Sequence, residues 1–202
     1  MKELHKRILD ISQEHQLSHI GSCLTAVDVI KEIYETKTPQ DIFVLDEGHA
    51  ALAYYVVLEH YGNQDAIKLF EKHGVHQNKD KEAGILVSAG SLGLAGSIAL
   101  GLALGDPTRD VYCLTSDGAL AEGIWWETLR VKTDKQISNL KVYVNANGFG
   151  AYDPIDLDTL EARLKAFCPD IQLRRTKIDD EILEEYPQLL GQDGHYKTIE
   201  KI

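Results

Sequence analysis

The chain has three cysteines among 202 residues, Cys23, Cys113 and Cys168, scattered, odd in number and without a CxxC pair. That pattern argues against a disulfide framework and reads as reduced, mostly buried thiols in a cytoplasmic protein. Positive charge is also scarce. Lys and Arg number 21 against 32 Asp and Glu, and the net charge of −11 argues against a nucleic-acid or anionic-membrane partner. Long hydrophobic runs are missing too. The longest apolar stretch, residues 91–105, is rich in Gly and Ala and falls short of the roughly 20 residues a membrane span needs. It reads instead as a tightly packed central helix. The charged start, Met1-Lys-Glu-Leu-His-Lys-Arg, carries no signal-peptide pattern, and no linker, repeat or low-complexity tract follows.

What remains is an ordinary globular composition, 44% apolar and 26% charged, long enough to bury a core in one domain over residues 1–202. Helical spacing covers residues 2–16 and 25–35, the second opening at Thr25 with Asp28 in its first turn. Strands are expected at 42–45, 84–87, 111–115, 140–144 and 171–175. Helices are expected at 49–61, after the Gly-rich segment 88–93, and at 121–131, 158–167 and 179–190. Alternation of this kind implies an α/β fold, a doubly wound parallel sheet with helices on both faces.

The most informative stretch is Val111-Tyr-Cys-Leu-Thr-Ser-Asp-Gly118, together with Leu140-Lys-Val-Tyr-Val-Asn-Ala-Asn-Gly148. Each half is a β-branched, apolar run that ends abruptly in small polar residues. Ligands of parallel sheets collect at the carboxyl ends of the strands. If the two strands are neighbours, Asp117 and Asn147 leave the sheet at the same edge. A carboxylate and an amide oxygen are hard donors suited to Mg²⁺, which keeps substrate phosphate oxygens in its shell. A metal–diphosphate site follows, although Ser-Asp-Gly alone is compatible with a plain surface turn. The glycine-rich Ser88-Ala-Gly-Ser-Leu-Gly93 lacks the G-x-G-x-x-G order of a dinucleotide fingerprint.

These elements resemble the transketolase family of thiamine diphosphate enzymes, in which G-D-G is followed about thirty residues later by Asn. Ser116 stands where that family has the first glycine; a positive φ there would strain a serine. The resemblance runs from about residue 5 to 165, with a short part after about 155. It implies that Asp117, Asn147 and the Phe149 carbonyl hold the metal, and that Gly118 belongs to the same motif. It also implies that Gly90 and Leu92 of the G-S-L-G element lie along the cofactor rings. His49 should hold the diphosphate, while His19 and His76 should act on the sugar hydroxyls. Imidazole chemistry fits both roles. Glu122 would join a carboxylate cluster linking cofactor sites across a subunit interface, and His195 would match a late histidine touching the diphosphate. His15, His60 and His73 lie in polar helical surroundings and read as ordinary.

The family drives its cofactor with a glutamate from a second domain, which this sequence lacks. The resemblance therefore implies a separate pyrimidine-binding subunit, an α₂β₂ assembly and a sugar-phosphate substrate. An apolar surface around Leu120, Ile124, Trp125 and Trp126 would face that partner. Two alternatives stay open: the α subunit of a two-oxoacid dehydrogenase, and a degenerate, non-catalytic partner subunit. The three histidines favour the transketolase-like reading, because hydroxylated sugars need such partners.

Overall fold

The computed structural model describes residues 2–62, 64–150 and 153–189. Four parallel strands lie in the order β1 (Ile42–Leu45), β2 (Val111–Ser116), β3 (Leu140–Ala146) and β4 (Gln172–Arg175). Period-2 alternation sends their side chains to two separate cores. Phe43, Leu45, Tyr112, Leu114 and Tyr143 pack on one face with α1 (Glu3–His15), α2 (Ile20–Thr36) and α3 (Ala51–Tyr61). Ile42, Val44, Val111, Cys113, Val142 and Val144 pack on the other, against α5 (Leu94–Gly105), α6 (Gly123–Asp134) and α7 (Leu157–Phe167). A parallel sheet buried between two helical layers is the expected class. Two shorter helices, α4 (Ala66–His73) and α8 (Asp180–Glu185), flank the first layer.

Several boundaries differ from the sequence reading. The second helix begins at Ile20, not Thr25; His19 stands before it in the left-handed region at φ 62°. Thr25 is therefore an interior, buried residue. Residues 84–87 form no strand. They belong to a loop that folds on itself, with Asp80 and Ile85 exchanging backbone hydrogen bonds of 2.7 and 2.8 Å. The sequence reading has no counterpart for α4. The apolar surface expected around Leu120 and Trp125 is also corrected. Leu120 is 3% exposed and Trp125 fully buried in the core beneath α5, while Trp126 donates to the Leu120 carbonyl at 3.0 Å. The exposed large apolar residues of this layer include Leu94, Ile98 and Leu104 of α5. No helix among the described residues is long and apolar enough to cross a membrane.

The contact between α5 and α6 depends on glycine. A Cβ on Gly96 would stand 2.6 Å from the Trp125 ring, whereas one on Gly101 would meet nothing within 4 Å. Gly96→Val should therefore lower the unfolding free energy by about 1–3 kcal/mol through overpacking. Gly101→Ala should raise it by up to about 1 kcal/mol through helix propensity. Urea unfolding of the two variants checks the contrast, and a Gly96→Val chain as stable as the native one would refute the packing.

Candidate functional site

Three strands end at one edge of the sheet, and the residues that leave them form the floor of a cleft. β1 runs into Asp46-Glu47-Gly48-His49, β2 into Asp117-Gly118, and β3 into Asn147-Gly148-Phe149. The register pairs Ser116 with Asn145, so Asp117 and Asn147 emerge side by side. The cleft has a volume of about 220 Å³, and His19, His49, His76, Gly90 and Leu92 line it with Gly118, Asn147 and Phe149. Ser22, Gly48 and Ser116 complete the lining; the sequence reading gave Ser22 and Gly48 no role.

Asp46 places the walls. Its buried carboxyl group accepts hydrogen bonds from the Gly93 and Ala95 amides at 3.0 Å each, from the Thr115 hydroxyl at 2.9 Å and from the Trp125 indole at 2.8 Å. One side chain thus joins the end of β1 to β2, α6 and the start of α5. The two amide donors are free N–H groups of the first turn of α5, which favour an acidic partner. Burial pushes the Asp46 pKa up, against the pull of these four donors. Gly48 lets the next loop close in: a Cβ there would lie 2.9 Å from the Gly90 amide nitrogen.

The loop carrying His76 is fixed from both sides. The Gln77 amide donates to the Leu45 carbonyl at 2.8 Å, and the Ala89 amide donates to the Gln77 carbonyl at 3.0 Å. Asp80 meets Lys72 at 2.6 Å and His73 at 3.1 Å. The Lys72 ammonium holds Asp80 down at about 2. His73, read from sequence as ordinary, therefore anchors the loop on which a cleft histidine sits.

The three cleft histidines come together in the structure. The rings of His19 and His49 lie 5.6 Å apart, and His76 adds to the electrostatic cost of charging either one. Burial first, then the two neighbouring imidazoles, pushes His49 down to about 4. It is neutral at physiological pH, able to donate one N–H and accept at the other nitrogen. His19 holds a left-handed backbone that only a few per cent of non-glycine residues adopt, and such strain concentrates at functional sites.

The donor set fits a hard cation. Asp117 is 2% exposed, and its two oxygens accept from the Gly118 amide at 3.0 Å and the Gly148 amide at 2.6 Å. Burial raises it to about 6 despite those bonds. Glu47, wholly buried, is raised further by burial and by the nearby charges of Asp117 and Asp46. A buried acidic pair of this kind is relieved by a cation. Asn147 supplies an amide oxygen, and the Phe149 carbonyl lies 3.5 Å from where a Cβ on Gly118 would stand. No Lys or Arg among the described residues lines the cleft. Ser116 creates no strain: it ends β2 as extended chain, and its hydroxyl accepts from the Ala119 amide at 3.1 Å. Glu122 does not reach the cleft; it is exposed beside Gly93, preceding α6. His195 lies outside the described residues.

A family model described as 1-deoxy-D-xylulose-5-phosphate synthase matches residues 1–186. Human transketolase is 28% identical over 89% of this chain, which covers 32% of that protein. A subunit of an apulose-4-phosphate transketolase from Actinobacillus succinogenes is 28% identical over 76% of this chain and 64% of its own length. The chain thus spans about a third of the length of the single-chain transketolases it matches and 64% of the transketolase subunit. A solved transketolase from Campylobacter jejuni has the same fold, with a TM-score of 0.71 at 18% identity over 96% of this chain and 39% of that one.

The depressed His49 sets a pH dependence. Between its unfolded value of 6.5 and its folded value of about 4, the unfolded chain binds more protons than the folded one. Stability is therefore complete above about 6.5 and is lost as pH falls toward 4. His49→Asn should flatten the slope of urea midpoint against pH across this window. A slope unchanged in the variant would assign the dependence to other groups.

Proposed function

The chain belongs to the 1-deoxy-D-xylulose-5-phosphate synthase N-terminal family, and from that membership we propose that it is the thiamine diphosphate- and Mg²⁺-binding subunit of a split transketolase-like enzyme. Its reaction is transfer of a two-carbon ketol unit between sugar phosphates, in the cytoplasm, with a separate pyrimidine-binding subunit in an α₂β₂ assembly. The observation that carries this reading is the emergence of Asp117 and Asn147 from paired strands beneath a cleft of three histidines. Two relatives are each named as one subunit of an apulose-4-phosphate transketolase, which supports the separate partner.

Asp117, the Asn147 side chain and the Phe149 carbonyl would hold the metal; Gly90 and Leu92 would line the cofactor rings. Bound there, thiamine diphosphate supplies a carbon nucleophile formed by loss of a proton from its thiazolium ring. His49 would donate its N–H to the diphosphate, its low pKa keeping the other nitrogen free of a proton. His19 and His76 meet the sugar, moving protons at its hydroxyl oxygens. A second reading, formation of 1-deoxy-D-xylulose 5-phosphate, is favoured by the description of the matching family model. Product analysis separates the two: a ketose phosphate with its C1 hydroxyl supports ketol transfer, and a 1-deoxy product supports the alternative.

Removal of the charged ligand in Asp117→Ala should abolish Mg²⁺-dependent thiamine diphosphate binding by titration calorimetry in the assembled complex. Unchanged affinity would sink the site assignment. Ketol transfer should appear only after the partner subunit is added; robust turnover by the purified chain alone would contradict the split assembly.

The histidines should separate by role. His49→Ala should weaken cofactor affinity. A lost hydrogen bond to charged or developing-charge groups costs roughly 1.5–3 kcal/mol. His19→Ala and His76→Ala should therefore lose about ten- to a hundredfold in kcat/KM while cofactor affinity holds. Full activity in both variants would remove the sugar-handling role.

A further inference from the structure

We propose that Thr25 is a positioning residue, whose hydroxyl fixes the Asn147 amide with its oxygen turned toward the metal; the inference rests on the metal reading of Asp117, Asn147 and Phe149. An asparagine amide has two ends of similar shape and opposite chemistry, and only the oxygen end can bind a cation. Something has to decide which end faces the cleft. Within the metal motif the Phe149 amide bears on the choice, donating to the Asn147 oxygen at 2.9 Å, while the NH₂ end is held from outside it.

The decision is made behind the site, in a closed polar network on the buried face of α2. Thr25 is 2% exposed, and its hydroxyl donates to the Ser22 carbonyl one turn earlier at 3.2 Å. A hydroxyl has one proton, so every other partner of Thr25 must donate to it. Two do: the Asn145 amide nitrogen at 3.2 Å and the Asn147 amide nitrogen at 3.3 Å. Asn145 is oriented from its far side as well, because its oxygen accepts from the Thr176 hydroxyl at 2.6 Å and its nitrogen also donates to Glu47 at 3.2 Å. Donation therefore converges on the Thr25 oxygen from Asn145 and Asn147, and Thr25 passes its own proton on to the Ser22 carbonyl. With its NH₂ committed to Thr25, Asn147 turns its oxygen to the opposite side, where it accepts the Phe149 amide at 2.9 Å. An amide oxygen has a second lone pair, which is then free for the cation. The same Phe149 bond places the residue whose carbonyl is the third ligand. Loss of a partner that orients a metal ligand in this way typically costs about 10- to 100-fold in metal affinity.

The test uses Thr25→Ala, Thr25→Val and Thr25→Ser in the full chain in its assembled form. Mg²⁺ is titrated by calorimetry at saturating thiamine diphosphate, and urea unfolding is measured alongside. Loss of the hydroxyl in Thr25→Ala and Thr25→Val should weaken Mg²⁺ binding about 10- to 100-fold. Thr25→Ser, which keeps the hydroxyl, should bind Mg²⁺ as the native chain does. If the valine methyl prevents folding, the smaller alanine variant decides. A folded Thr25→Ala chain with native Mg²⁺ affinity, even one of lower stability, overturns the proposal, as does a serine variant as weak as alanine. Asp117→Ala in the same titration separates the two levels. If it leaves Mg²⁺ affinity unchanged, the metal reading falls and takes the role of Thr25 with it. If it abolishes binding, the metal reading stands and the Thr25 variants alone decide the positioning role.

Discussion

Four hydrogen bonds converge on the buried carboxyl group of Asp46 and lock the end of β1 to β2, α6 and the start of α5, the frame on which the cleft is built. The strand that carries Asp46 contributes His49 three residues later. The amides it caps belong to the start of α5, directly after Gly90 and Leu92, and the indole it accepts from closes the layer of α6. The donors come from three parts of the chain, the start of α5, β2 and α6, so loss of the acceptor would leave several buried donors unpaired at once. Leaving a single buried donor or acceptor unsatisfied costs about 1–3 kcal/mol. The close approach of Gly48 to Gly90, and of Gly96 to Trp125, then fills the space these bonds define.

The chemistry of the cleft follows from what surrounds this frame. Acidic groups, Asp46, Glu47 and Asp117, lie buried beneath it, and no Lys or Arg among the described residues faces into it. An anion alone would be repelled there. A divalent cation bound there, as proposed, would reverse the balance, satisfying the buried acids from one side and taking diphosphate oxygens on the other. The histidines complete the arrangement as neutral groups. Burial and mutual repulsion keep protons off His49, so it acts as a hydrogen-bond partner and not as a fixed charge.

Much of this was legible in the sequence, and the reason is geometric. Strand β1 at 42–45 and the paired ends of β2 and β3 are short β-branched runs with abrupt polar ends, a pattern few other structures satisfy. The thirty-residue spacing of Asp117 and Asn147 is that of one crossover helix between adjacent parallel strands, and Ser116 fits in place of glycine because it is extended chain at the end of β2. The failures are also physical. Thr25 followed by Asp28 imitates a helix start, yet α2 begins five residues earlier, behind a histidine in a left-handed conformation that no local pattern announces. Ile85, Leu86 and Val87 are apolar enough for a strand, but Gln77 and Asp80 tie them into a loop away from the sheet. Trp125 and Leu120 look like interface residues when judged by size and hydrophobicity alone; a glycine on the opposing helix makes room to bury the indole. The network of Thr25, Asn145 and Glu47 left no signal at all, since its members are more than 20 residues apart and meet only in the folded chain.

The most direct measurement is a crystal structure of the assembled protein with thiamine diphosphate and Mn²⁺ in place of Mg²⁺, using the anomalous signal of the metal to locate it. The expected result is a single strong peak within coordination distance of an Asp117 carboxylate oxygen, the Asn147 side-chain oxygen and the Phe149 carbonyl, with the diphosphate on its open side. A peak elsewhere on the chain, or a bound diphosphate with no metal beside Asp117, would contradict the account.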